Sequence, residues 1–89
     1  MDEIKIGQAG SLESNDLIVT VDLNYEEGLH IEIDSVVKEK FGKKIEKVTR
    51  ETLDELNINN GHIKLVDKGA LDFTIRARLK TAIKRAEGR

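Results

Sequence analysis

The stretch LIVTVDLNYEEGLHIEID, residues 17–34, decides the class of fold. Leu17, Val19, Val21 and Leu23 alternate with Ile18, Thr20 and Asp22, the period of a strand with one buried face. Asn24 to Gly28 reads as a turn. Leu29, Ile31 and Ile33 then alternate with His30, Glu32 and Asp34, which predicts a second strand. The short link between the two predicts an antiparallel hairpin.

Outward from this pair the period changes. Val37, Phe41, Ile45, Val48, Thr52 and Leu56 fall on one stripe at helical spacing. Asp34 and Ser35 stand where a side chain can cap the helix start. Gly42 lies inside this helix, as a close backbone approach or as a tolerated flaw costing about 1 kcal/mol relative to Ala. Asn57 to Gly61 ends it, since Asn and Gly accept left-handed backbone. His62 to Asp67 is a third short strand, broken by Asp67-Lys68-Gly69. Leu71, Ile75, Leu79, Ala82, Ile83 and Ala86 form the apolar face of a second helix. The expected fold is α+β: a two-layer sandwich in ββαβα order, with a small mixed sheet and two helices on one face. The second strand, first helix and third strand make a crossover, right-handed if the strands are parallel neighbours. Residues 1–16 read as a loosely held arm and 17–89 as a single α/β domain.

The chain has 89 residues and no Cys, so it cannot form disulfides or thiolate metal sites, and its own side chains supply no thiol. No segment reaches the ~18 apolar residues of a membrane span. The start, MDEIKIGQAG, lacks the basic and apolar regions of a signal peptide, so a cytoplasmic protein is expected. Charge is uneven. Residues 1–34 hold nine acids and one base, Lys5, while residues 71–89 hold six bases and two acids. A basic last helix could meet an acidic partner or RNA, but a solvated helix face is the simpler reading. Aromatic residues are 3% of the chain, so base-stacking platforms are nearly absent and nucleic acid is not an expected partner.

Catalytic patterns are missing. His30 and His62 are far apart in sequence and read as solvated strand residues rather than metal ligands. There is no phosphate-binding glycine loop. Ser14 sits in the polar run Ala9 to Asp16, where Ser14, Asn15 and Asp16 all favour a turn. An exposed serine in such a run could also be a substrate for another enzyme, because polar surface segments fit foreign active sites.

Three segments carry a resemblance. GSLESNDLIVTV (10–21), FGKKI (41–45) and DKGALDFTIRAR (67–78) resemble the acyl carrier, or gamma, subunit of citrate lyase, nearly end to end and in order. The resemblance implies a non-catalytic carrier within a lyase complex. It implies that Ser14, the serine of the E-S-x-D motif, bears a phosphoribosyl dephospho-coenzyme A group through a phosphodiester. The thiol of that group would carry acetyl and citryl thioesters, used by alpha (acyl transferase) and beta (lyase) subunits after attachment by a prosthetic-group transferase. Citrate would be cleaved to acetate and oxaloacetate. Arg76 and Arg78 could contact the cofactor phosphates or a partner's acids, or pair with the acidic first third of this chain. The family commonly has Cys where this chain has Phe73. That side chain points off the apolar stripe, as a partner contact or as a cover for the helix start. The acyl carrier of malonate decarboxylase has a similar attachment serine and is the alternative within the class. A small αβ domain binding RNA or another acidic partner through its last helix is the alternative outside it.

Overall fold

A computed structural model describes residues 4–88. The elements are β1 (Ile6–Gly10), β2 (Leu17–Asp22), β3 (Leu29–Ser35), α1 (Lys38–Glu55), β4 (Gly61–Asp67) and α2 (Asp72–Ala86). The four strands form one mixed sheet in the order β1-β2-β4-β3. The α+β class, the mixed sheet and the helix–sheet layering agree with the sequence reading. The element order is βββαβα, one strand longer than expected.

The extra strand changes the reading of the N-terminal segment. Residues 1–16 were expected to be an arm, yet Ile6–Gly10 pairs antiparallel with β2, from Ile6 opposite Asp22 to Gly10 opposite Ile18. The pairing extends outward through the Leu23 N–H donating to the Lys5 carbonyl at 2.9 Å. Residues 1–3 of the expected arm lie outside the described residues. The strand has no apolar alternation because its inward positions are Gly7 and Ala9, both buried. A Cβ at Gly7 would collide with the Ala82 carbonyl oxygen and the Ala86 amide nitrogen of α2. Small residues on both elements let the helix backbone lie against the strand, so the strand is made by close approach rather than by large apolar side chains.

The expected hairpin of β2 and β3 is also corrected. β4 lies between them, antiparallel to β2 and parallel to β3, with Ile63 opposite Val21 on one side and Ile31 on the other. An antiparallel β4 completes β2 with a second ladder, while α1 provides the crossover that parallel β3 and β4 require. Each strand buries one face. Leu17, Val19, Val21, Ile63 and Leu65 meet Ile45, Val48 and Leu53 of α1 and Ile75, Leu79 and Ile83 of α2 in a single core. Leu29, Ile31 and Ile33 are only partly buried, because β3 is an edge strand.

The helix ends differ in detail from the sequence reading. Val37 occupies the α1 cap position, and no side chain caps it. Ser35 instead accepts from the Val37 N–H at 3.1 Å and donates to Asp67 at 2.7 Å. Phe41 is 44% exposed, and the buried α1 face runs from Ile45 through Thr49 and Thr52 to Leu53. The two buried threonine hydroxyls donate to the carbonyls of Ile45 and Val48, one turn back, at 2.8 Å each. Leu71 precedes α2 as its cap residue and is exposed, whereas Ile75, Leu79, Ala82, Ile83 and Ala86 are buried as expected.

Two glycines give opposite expectations. Gly7→Ala should destabilise the fold by about 1–3 kcal/mol, since helix backbone cannot move aside cheaply. A Cβ at Gly42 would meet only the Lys38 Cγ at 3.1 Å, the flexible side chain of the first residue of α1. Gly42→Ala should therefore stabilise by about 0.5–1 kcal/mol. Urea unfolding of both variants measures the pair, and equal effects would contradict the packing described.

Candidate functional site

With β1 in the sheet, residues 11–16 become the hairpin loop joining β1 to β2. The Ser11 N–H donates to the Leu17 carbonyl at 3.1 Å and closes its base. At its tip the Asp16 N–H donates to the Glu13 carbonyl at 3.1 Å, an i to i+3 turn with Ser14 and Asn15 at the corner. Asn15 has φ 66°, a conformation that Asn tolerates better than most residues. Ser14 is exposed, and its hydroxyl makes no hydrogen bond to the described residues.

The neighbours of Ser14 are held tightly. The Asn15 N–H donates to the Lys68 carbonyl, and the Lys68 N–H donates to the Asp16 carbonyl, each at 2.8 Å. These reciprocal bonds tie the loop to the β4–α2 connection. That connection is in turn organised by Asp67, which is 1% exposed. Its carboxylate accepts from the Ser35 hydroxyl at 2.7 Å, the Gly69 N–H at 3.1 Å and the Ala70 N–H at 2.9 Å. Three donors satisfy a buried carboxylate that would otherwise be costly.

Asp16 gathers the rest of the motif. Arg78 donates to it through two nitrogens, Nε at 3.0 Å and Nη2 at 2.9 Å. The Ser11 hydroxyl donates at 2.7 Å and the Leu17 N–H at 2.7 Å. The Asp16 side chain is 14% exposed. The Arg78 hydrogen bond, followed by that of Ser11, holds its carboxyl below the ordinary 3.8, at about 2, against a smaller upward push from burial. Asp16 in turn raises the Arg78 pKa. Two sequence segments 62 residues apart thus meet at one bidentate ion pair.

Arg78, one of the basic residues of the last helix, therefore pairs with the acidic first third of the chain. Arg76 lies 3.6 Å from Glu51 on α1. Arg85 donates to the Gln8 carbonyl of β1 at 2.8 Å. These internal contacts reduce the free positive charge on which the RNA or acidic-partner alternative depends. Phe73 is 70% exposed and Leu12, in the loop itself, is 57% exposed. Sequence reasoning singled out Ser14 but missed the bracing roles of Ser11, Asp16 and Asp67. Their signal was the motif spacing itself, since Ser11 and Asp16 flank Ser14 by three and two residues.

Known proteins resemble this chain along nearly its whole length. Residues 4–86 match the family of acyl carrier proteins described as malonate decarboxylase delta subunit (MdcD). The citrate lyase acyl carrier protein of Escherichia fergusonii is 45% identical over 86 residues, covering 97% of this chain and 89% of that protein. The chain belongs to the citrate lyase acyl carrier protein family. The acyl carriers of that name from Streptococcus mutans and Fusobacterium nucleatum are 45% and 44% identical, covering 97% and 91% of this chain and 84% and 86% of theirs. A chain in the crystal structure of a Pseudomonas malonate decarboxylase hetero-tetramer in complex with malonate has the same fold. It superposes with a TM-score of 0.73 at 21% identity, over 91% of this chain and 82% of that one. Family members are carriers rather than catalysts and hold a covalently attached group. No helix among the described residues is long and apolar enough to cross a membrane.

The ion pair makes the acid response of this carrier predictable. Because the Asp16 pKa is lowered on folding, its contribution is complete above the ordinary carboxylate range and is lost as pH falls toward about 2. Thermal midpoints of the wild type and of Asp16→Asn should differ at pH 7 and converge as the pH approaches about 2. A gap that stayed constant would show that the pair adds nothing through the Asp16 charge.

Proposed function

We propose that this chain is the acyl carrier subunit of citrate lyase and that Ser14 is the residue to which its prosthetic group is attached. One observation carries the choice of Ser14. In a loop where Ser11, Asn15 and Asp16 are all engaged in hydrogen bonds, the Ser14 hydroxyl alone stands exposed at the corner of the turn with no bond to the described residues. Such a hydroxyl can enter a transferase active site without breaking internal structure. The braces hold its neighbours, so the attacking oxygen is presented from a defined frame rather than from a wandering arm.

The residues present suit a phosphodiester-linked group of the phosphoribosyl dephospho-coenzyme A type. Ser14 offers the oxygen, and open solvent around it accommodates a large substituent. When bound, the group supplies the thiol that this cysteine-free chain lacks, for carrying acyl groups as thioesters. The chain's own task is to display the attachment point and to bring it to the alpha and beta subunits, which perform acyl exchange and cleavage. Tethering raises the local concentration of the acyl group at those sites. Arg78 serves the attachment site as a brace through Asp16, with its remaining nitrogen free for a phosphate. Arg76 stands further from this role, beside Glu51 of α1. The carrier acts in the cytoplasm, with the other subunits.

A malonate decarboxylase carrier is the second reading, favoured by the description of the matching family. Identities near 45% to citrate lyase carriers over almost the full chain outweigh it. Reconstitution with citrate lyase alpha and beta subunits, or with malonate decarboxylase subunits, separates the two.

Ser14→Ala should alter stability by less than about 0.5 kcal/mol, as for an exposed side chain without partners. Expressed with the attachment enzymes, it should stay unmodified by intact mass and give a complex unable to cleave citrate. Ser11→Ala should still be modified at Ser14, though it loses the bond to Asp16 and with it some stability. An adduct mapped to Ser11, or a modified Ser14→Ala protein, would move the site.

A further inference from the structure

The uncovered face of the sheet brings together the two histidines that the sequence reading kept apart. The parallel pairing of β3 and β4 sets His30 directly opposite His62. Glu32, two residues along β3, points to the same face. The imidazole rings stack with centroids 5.0 Å apart and planes 14° from parallel, and the Tyr25 ring lies 6.2 Å from one and 6.0 Å from the other. His62 Nε2 is 3.5 Å from Glu32 Oε1. One donor atom from each of His30, Glu32 and His62 lies within 4.8 Å of the other two.

We propose that His30, Glu32 and His62 form a surface binding site for a divalent transition metal of the zinc class, bridging β3 and β4. Two imidazoles and a carboxylate are a recurring three-ligand zinc set, which leaves a fourth position for water or for a group from outside the chain. The nitrogen donors select zinc, copper or nickel over magnesium and calcium, which take oxygen ligands. Donors bound about 2.1 Å from a tetrahedral zinc lie about 3.4 Å apart, so the existing pair at 3.5 Å already fits. The remaining donors lie within 4.8 Å of one another and converge when the imidazole rings turn out of their stack. His30 and Glu32 are exposed and His62 is one-third exposed, and the Tyr25 ring beside both imidazoles lies in the β2–β3 connection at the surface, so the side chains have room to turn. Lys64 Nζ lies 3.9 Å from Glu32, but at Oε2, leaving Oε1 turned toward His62.

The site stands apart from the Ser14 loop. His62 is five residues before Asp67 along β4, about 17 Å of extended strand, and on the face away from the helices. A metal there clips the edge strand β3 to the centre of the sheet, and it raises stability by mass action because the unfolded chain lacks the site.

The test uses the tag-free full-length protein. Calorimetric titration with zinc chloride should give one ion per chain, and cobalt(II) should give the intense visible bands of a tetrahedral complex. Zinc should also raise the thermal midpoint. His30→Gln and His62→Gln should each weaken zinc binding by about tenfold or more, the scale that even an outer-shell partner commands. Both should keep the wild-type circular dichroism. Lys64→Gln should bind at least as tightly as the wild type. Absence of zinc binding at millimolar metal, or binding unchanged by both histidine substitutions, overturns the proposal and leaves the cluster a stacked histidine pair with an ordinary ion pair.

Discussion

The insertion of β4 between β2 and β3 is the constraint on which the other features depend. Its two ladders, antiparallel on one side and parallel on the other, place Ile63 and Leu65 at the centre of the core. They also fix where its two ends emerge. At one end Asp67 folds the following loop around its carboxylate, and Lys68 reaches the Ser14 loop. At the other end His62 comes to rest beside His30. Without β4 beside β2, Lys68 would not reach the Ser14 loop, and without β4 beside β3, His62 would not meet His30.

The Ser14 loop is consequently built from three directions. β1 and β2 supply its base, the β4–α2 connection supplies two backbone bonds, and α2 supplies Arg78. Asp16 is the point where these forces meet. It is an acid whose charge is stabilised by a guanidinium and a hydroxyl, and its position leaves Ser14 projecting. In the proposed role, Ser14 is the one residue that several enzymes must recognise. A rigid frame around a free hydroxyl meets that need, because little backbone entropy is lost when each enzyme engages it.

Periodicity made the two helices and three of the strands readable, since their apolar residues repeat at 3.6 or 2. β1 was unreadable for a definite reason. Its inward positions are Gly7 and Ala9, chosen by the nearness of α2, and a strand made of small residues has no apolar rhythm. Ser35 was legible as a capping residue, but its hydroxyl serves Val37 and the distant Asp67 instead of the helix start proper. The Ser14 motif was recognisable as a pattern. The reasons for its individual letters became visible only when Arg78 was brought to it.

By itself, the amino-acid order determined the α+β class, the helix spans to within a turn, the lack of thiol chemistry and the serine worth testing. The first three follow from local spacing and composition, which act within a few residues, and the serine follows from the resemblance of its motif to a known family. Tertiary structure alone decided the strand order, the fourth strand, the pairing of Asp16 with Arg78 and the meeting of His30 with His62. Each of these joins residues 32 or more apart in the chain or rests on how closely α2 approaches the sheet. Such contacts are selected by the packing of the whole core, and no local pattern records them.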